Sequence, residues 1–140
     1  MIILDKIMDI SIHLDEIKRR RCTVIFSRYN TGKSSVCTDF LLDNLYNSIY
    51  ATFIDQSKPN FIPRKSDISF DEIVEGKVII FDEVGDDKGR SVEDYLSNLI
   101  DKNKVIILSN PYSDDPGKAK NTFLEREYHI PMDSLFFYVK

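Results

Sequence analysis

Long hydrophobic runs are missing from this 140-residue sequence, and their absence excludes a membrane-spanning helix. Apolar runs such as Val78–Phe81 and Val105–Leu108 are far shorter than the roughly 20 residues that cross a bilayer. The N-terminus also lacks the basic region, apolar stretch and small-residue cleavage site of a secretory signal. We therefore expect a cytoplasmic protein that does not enter a membrane, in the host cytoplasm if the protein is viral.

Cysteine is also scarce, because only Cys22 and Cys37 occur. No cysteine or histidine spacing resembles a metal cage. Cys22 falls on a predicted strand and Cys37 on a predicted helix, where small buried thiols are common. This usage is typical of a protein in a reducing compartment.

An excess of positive charge is absent as well, since 19 lysines and arginines face 23 acidic residues and the net charge is −4. The chain as a whole does not attract nucleic acid, so any such binding must come from a local basic patch. One patch follows the N-terminal segment and consists of Lys18, Arg19, Arg20 and Arg21. The same charges could simply stabilise a helix C-terminus, so a nucleic-acid contact and a helix cap both stay open.

The composition predicts one folded domain spanning residues 1–140. Hydrophobic residues make up 42% and charged residues 30%, an ordinary globular balance at a common domain size. Within residues 1–21, apolar side chains recur at helical spacing, which predicts an N-terminal amphipathic helix packed on the core or flanking it. These apolar residues are Ile3, Ile7, Ile10, Leu14 and Ile17.

Short apolar segments alternate with segments of helical spacing along the rest of the chain. The predicted strands are Cys22–Phe26, Tyr50–Ile54, Val78–Phe81, Val105–Leu108 and Leu135–Val139. Predicted helices begin at Lys33, Ser69 and Ser91, and a helical turn is expected over Phe123–Tyr128. The polar segments Gln56–Lys65 and Tyr112–Asn121 are predicted loops.

This alternation predicts an α/β fold, because parallel neighbouring strands need crossover connections. We expect a three-layer sandwich with a mainly parallel sheet of about five strands. The strands are solid apolar runs without alternation, which indicates that both faces of the sheet are buried.

A polar segment between the first predicted strand and the helix beginning at Lys33 has the position of a phosphate-binding loop. Backbone N–H groups at a helix N-terminus bind anions. The segment resembles the Walker A motif of P-loop NTPases, G-x-x-x-x-G-K-[S/T], with Ser27 in place of the first glycine. The alternative is a chance strand-to-helix turn. The resemblance implies nucleotide binding by Ser27, Arg28, Tyr29, Asn30, Thr31, Gly32, Lys33, Ser34 and Ser35.

Two later segments extend the resemblance to the ATPase branch of P-loop proteins. The third predicted strand leads into Asp82 and Glu83, which is similar to a Walker B strand. The fourth ends at Ser109 and Asn110, where this branch carries a polar residue called sensor 1. A solvated acidic loop and an ordinary Asn-Pro turn are the respective alternatives.

The resemblance assigns roles to these residues and an order to the strands. Asp82 and Ser34 would hold Mg²⁺, Lys33 would contact the β- and γ-phosphates, Glu83 would polarise the attacking water, and Asn110 or Ser109 would orient that water. The family order places the fourth strand between the first and the third. All three motifs would then meet at the carboxyl edge of the sheet, where ligands bind in open α/β folds.

The expected activity is Mg-dependent ATP binding and hydrolysis. Asp82-Glu83-Val84-Gly85 also fits the D-x-x-G pattern of GTPases, but the guanine-reading N-K-x-D motif is missing from the end of a later strand. We expect coupling to a nucleic-acid or protein-remodelling process, and a loose likeness to viral or mobile-element DNA-packaging and translocating ATPases points the same way.

The resemblance also implies partners. An arginine finger from another copy of the chain would make the active form a homo-oligomer, and the length leaves no room for the helical lid of AAA+ proteins, so a partner protein could close the site. Two alternatives remain: a nucleotide-binding or degenerate P-loop module without turnover, and a small-molecule P-loop kinase, although Lys118–Arg126 has only one arginine. The candidate finger residues are Arg64, Arg90 and Arg126.

Overall fold

The computed structural model describes residues 1–28, 33–55, 58–62, 75–84, 99–127 and 130–140. The strands in these ranges are β1 (Ile2–Leu4), β2 (Cys22–Phe26), β3 (Ser48–Asp55), β4 (Lys58–Ile62), β5 (Val78–Val84), β6 (Lys104–Ser109) and β7 (Leu135–Val139). The helices are a 3₁₀ helix (Ile7–His13), α1 (Leu14–Arg19), α2 (Lys33–Asn44) and α3 (Pro116–Glu127). Residues 99–102 are also helical.

The described strands form one sheet in the order β1-β7-β2-β6-β5-β3-β4. Neighbours are parallel throughout, except that β4 runs antiparallel to β3 at one edge. The predicted α/β class and mainly parallel sheet are confirmed, and the five predicted strands are present as β2, β3, β5, β6 and β7. The sheet is larger than expected because β1 and β4 extend its two edges.

Both faces of the central strands are buried, as their solid apolar runs predict. In β2 the residues Val24 and Phe26 pack into one core cluster, while Ile25 between them packs into the other. The first cluster is covered by α3 and the 99–102 segment, which contribute Phe123 and Ile100. The second is covered by the 3₁₀ helix, α1 and α2. The chain therefore has helix, sheet and helix layers.

The prediction of a single amphipathic helix within residues 1–21 is wrong. The segment instead forms β1, the 3₁₀ helix and α1. β1 pairs in parallel with β7, which places Leu4 in the core and leaves Ile3 42% exposed. Hydrogen bonding to the edge of β7 outweighs the helical spacing that includes Ile3. The region packs against the sheet, because Ile7, Ile10 and Ile17 are buried in the second core cluster.

Two predicted loops contain regular structure. The expected loop Gln56–Lys65 includes β4, in which Pro59 is tolerated because an edge strand needs hydrogen bonds on one side only. The helical turn expected over Phe123–Tyr128 is present as far as Glu127, but it belongs to a longer helix, α3, which begins at Pro116 and takes up the second half of the expected loop Tyr112–Asn121. Asp115 caps this helix, since its Oδ1 accepts a hydrogen bond from the Lys118 backbone N–H at 3.1 Å.

The helices expected from Ser69 and Ser91 lie largely outside the described residues. Leu99 and Ile100, at the end of the second, are helical as predicted.

Both cysteines are free and buried, as predicted. Burial raises the pKa of the Cys22 thiol to about 12, and a hydrogen bond with Ser134 lowers it in part. Cys22 therefore remains a neutral thiol at physiological pH and behaves as a small core side chain.

Replacement of Phe123 by alanine tests the packing of α3 on the sheet. Phe123 is fully buried, with its ring edge-on to Phe26 at 5.6 Å between centroids. We expect Phe123→Ala to lower the free energy of unfolding by about 3–5 kcal/mol in urea denaturation. Leu124→Ala is the matched control, because Leu124 is 41% exposed on the same helix turn and should cost about 1 kcal/mol or less. Equal losses in the two variants would contradict this packing.

Candidate functional site

The ends of three central strands meet at the carboxyl edge of the sheet. Ser109, the last residue of β6, is the register partner of Phe26 in β2 and of Val84 in β5. Ser27 extends this pairing, because its backbone N–H donates to the Ser109 carbonyl oxygen at 2.9 Å. The strand order thus brings the three predicted motif segments side by side. This is the order implied by the resemblance, with the fourth predicted strand between the first and the third.

β5 contains an irregularity where the two predicted acidic site residues lie. Phe81 pairs with Ile107 and Val84 pairs with Ser109, so three steps along β5 match two along β6. The extra residue falls at Asp82–Glu83. Such bulges bend a strand and change the direction of its side chains, and they are common beside active sites.

Ser27, which replaces the first glycine of the motif, fits its position without backbone strain. Within the described ranges, a positive φ at a non-glycine residue occurs at Asn47 (φ 60°) and not at Ser27. Ser27 therefore has an ordinary backbone conformation. Its side chain is 2% exposed, and its Oγ has no hydrogen-bond partner among the described residues. The serine therefore places a buried hydroxyl, without a partner in the described part of the chain, at the beginning of the candidate phosphate loop.

The start of the candidate loop also contacts the segment that follows β6. Arg28 forms an ion pair with Asp114, and both side chains are more than half exposed. The segment is held from the other side by the Tyr138 hydroxyl, which donates to the Ser113 carbonyl oxygen at 3.0 Å. An exposed ion pair contributes little stability, but this contact shows that the two loops lie next to each other.

The other predicted site residues are distributed as follows. Lys33, Ser34 and Ser35 form the first turn of α2, directly after the candidate loop. Asn110 follows β6 and is half-buried, and its carbonyl oxygen accepts a hydrogen bond from Ser109 Oγ at 3.4 Å.

Several of the predicted residues lie outside the described ranges. They are the loop residues Tyr29, Asn30, Thr31 and Gly32, and two of the candidate arginine fingers, Arg64 and Arg90. The third, Arg126, lies in the last turn of α3.

A pocket of about 550 Å³ lies at the opposite, amino edge of the sheet and contains none of the predicted catalytic residues. It is lined by the ends of α1 and α2, the 99–102 segment and the beginnings of β5 and β6. The sequence motifs did not indicate it, because its lining comes from separate parts of the chain. The only signal in the sequence was the basic patch after the N-terminal segment, of which Lys18, Arg20 and Arg21 line the pocket and Arg19 does not.

The described ranges contain no group of three or more His, Cys, Asp or Glu side chains placed to hold a metal ion. None of the helices within these ranges has the length and apolar character to cross a bilayer. The sequence matches no protein-family model and no curated protein. Any functional interpretation therefore depends on the geometry of the chain itself.

The unpaired Ser27 hydroxyl leads to a stability prediction. Because Oγ is buried and gains no partner among the residues that the structure describes, we expect Ser27→Ala to leave the free energy of unfolding unchanged or to raise it by about 1 kcal/mol. Asn103→Ala is the contrast, since Asn103 Oδ1 accepts from the Lys77 N–H and Nδ2 donates to the Leu99 carbonyl oxygen, both at 3.0 Å. That variant should lose about 1–3 kcal/mol in urea denaturation. A similar loss in Ser27→Ala would show that its hydroxyl is paired.

Proposed function

We propose that this chain is a minimal P-loop ATPase that binds ATP with Mg²⁺ at the carboxyl edge of its sheet and hydrolyses it. The observation that carries the proposal is the strand order β7-β2-β6-β5-β3, with β6 between the strands that lead into the two nucleotide-binding motifs. Ligands in open α/β sheets bind at this edge, where the order of strands reverses. A chance strand-to-helix turn at Ser27 would not require the acidic pair Asp82 and Glu83 to lie near the carboxyl end of β5, two strands away from β2 in the sheet.

Phosphate binding would rest on the N-terminus of α2. This helix begins at Lys33, immediately after the candidate loop, and its macrodipole attracts anions to its first turn. Backbone N–H groups from Tyr29 to Ser34 would bind the phosphate oxygens, and the Lys33 ammonium would contact the β- and γ-phosphates. The ordinary conformation of Ser27 supports this assignment, because it removes the need for glycine at the start of the loop.

The residues at this edge suit a magnesium ion. Ser34, in the first turn of α2, would supply a hydroxyl, and Asp82, near the carboxyl end of β5, would supply a carboxylate. Mg²⁺ prefers oxygen donors of these kinds. Mg²⁺ keeps several waters and needs few protein ligands, so two donors are sufficient. When bound, the ion would neutralise charge on the phosphate oxygens.

Hydrolysis would depend on groups next to the proposed magnesium position. Glu83 follows Asp82 within the irregular part of β5 and would orient and polarise the attacking water. Asn110 or Ser109, at the end of the neighbouring strand, would hold the same water by a hydrogen bond. An arginine from a second copy or a partner protein would complete the stabilisation of the developing charge. The chain would then act as the ATP-driven part of a nucleic-acid or protein-remodelling assembly.

Thermal melting with Mg-ATP tests nucleotide binding. A ligand that binds only the folded state stabilises it by about 2.7 kcal/mol at a hundredfold excess over Kd, so millimolar Mg-ATP should raise Tm. The Lys33→Ala variant should lose most of this rise, because it lacks the phosphate contact. Lys118→Ala, at an exposed lysine on α3, is the control and should keep it. An unchanged Tm in the wild type would overturn the proposal.

Phosphate release tests turnover separately from binding. A Glu83→Gln variant should retain the Tm rise with Mg-ATP and lose hydrolysis by about a hundredfold or more, since a general base contributes at least that much. Glu125→Gln, an exposed glutamate on α3, makes the same chemical change elsewhere and should retain full activity. Wild-type binding without hydrolysis would instead favour a binding module, and phosphate transfer to an added small molecule would favour a kinase.

A further inference from the structure

The pocket at the amino edge is distinct from the candidate nucleotide site. Val78 and Lys104, a register pair at the beginnings of β5 and β6, line it, and Leu45 lines it from the end of α2. Its volume of about 550 Å³ lies in the range of sites that hold one small molecule or one or two residues of a flexible chain. The candidate phosphate loop is at the other end of both α2 and the strands.

Positive charge is concentrated at this pocket, although the whole chain has a net charge of −4. Among the described residues, one carboxylate, that of Asp101, lines it. The cationic lining residues are Lys18, Arg20, Arg21, Lys77, Lys102 and Lys104. Such segregation of charge in an acidic protein indicates an anionic ligand.

Part of this charge is already paired within the protein. Arg20 lies 3.4 Å from Glu16, Arg21 lies 3.8 Å from Asp101, and Lys102 lies 3.3 Å from Glu75. The other three cations, Lys18, Lys77 and Lys104, form no ion pair with any residue in the described part of the chain. These three ammonium groups remain to bind an external anion.

An aromatic side chain completes the pocket lining. Tyr46 lines the pocket while 89% of its surface is exposed, in the turn that follows α2. Asn47, the next residue, has a positive φ that sets the course of this turn. Because an exposed ring presents a flat apolar face to water, it can stack with a nucleic-acid base.

We propose that this amino-edge pocket binds single-stranded nucleic acid, with backbone phosphates on Lys18, Lys77 and Lys104 and a base stacked on Tyr46. A cationic groove with an exposed aromatic is the usual arrangement for binding single strands without sequence preference. The bases of a duplex are already stacked on each other, so a base that stacks on Tyr46 must come from a single strand. An acidic peptide would match the charge and leave Tyr46 without a role.

Fluorescence anisotropy tests the proposal with a labelled oligothymidylate of about 20 nucleotides, in the absence of ATP. Hydrolysis is not needed, so the result is independent of the proposed ATPase activity. Each phosphate contact on a single strand contributes about −0.7 to the slope of log K against log salt concentration, so the Lys18→Ala/Lys104→Ala double variant should reduce that slope by about 1.4. Lys118→Ala/Lys140→Ala removes two exposed lysines outside the pocket and should leave it unchanged.

Variants of Tyr46 test the stacking contact. Tyr46→Ala should weaken oligothymidylate binding by about fivefold or more, and Tyr46→Phe should restore it. Circular dichroism and Tm check that each variant is folded. Three results would overturn the proposal: absence of binding, displacement of the oligonucleotide by polyglutamate at equal charge concentration, and displacement by inorganic phosphate at equal phosphate concentration. The second result would indicate an acidic protein partner, and the third a small phosphate ligand.

Discussion

β6 pairs in parallel with β2 on one side and with β5 on the other. The residues that meet at the carboxyl edge and at the amino edge of the sheet depend on this double pairing. Its residues alternate between the two core clusters, so the strand is held by hydrogen bonds laterally and by apolar packing on both faces. Neighbouring strands are about 4.8 Å apart, which puts the ends of β2 and β5 within roughly 10 Å of each other. Segments that are distant in sequence thereby reach the same edge.

The parts of the fold that sequence could predict are those whose signal is local. β2, β5, β6 and β7 are solid apolar runs, and such runs form strands buried on both faces in any parallel sheet. β1 and β4 are short, and each exists because a neighbouring strand presents an unpaired edge, at β7 and at β3. That pairing outweighed the helical spacing at Ile3 and the proline at position 59. The sequence pattern did not reveal it, because strand pairing depends on residues outside the segment itself.

The difference between local and long-range signals also separates the candidate nucleotide site from the amino-edge pocket. The candidate nucleotide site is encoded in short contiguous motifs, so its residues could be named in advance, and the strand order that brings them together agreed with the expectation. The register of β5 against β6, and with it the extra residue at Asp82–Glu83, depends on both strands and has no local pattern. The amino-edge pocket is harder still to predict from sequence, because Lys18, Lys77 and Lys104 come from three separate segments and only Lys18 belongs to a visible basic patch.

The two outer strands determine how copies of this chain can associate. β4 contains Pro59, which has no N–H to donate, and β1 has only three residues. Neither presents a long row of free donors and acceptors to a neighbouring molecule, and short or proline-containing outer strands are how natural sheets resist aggregation. Growth of the sheet from one molecule into the next is therefore disfavoured at both ends. If copies of the chain associate as proposed, helical and loop surfaces are better suited to that contact than β1 or β4.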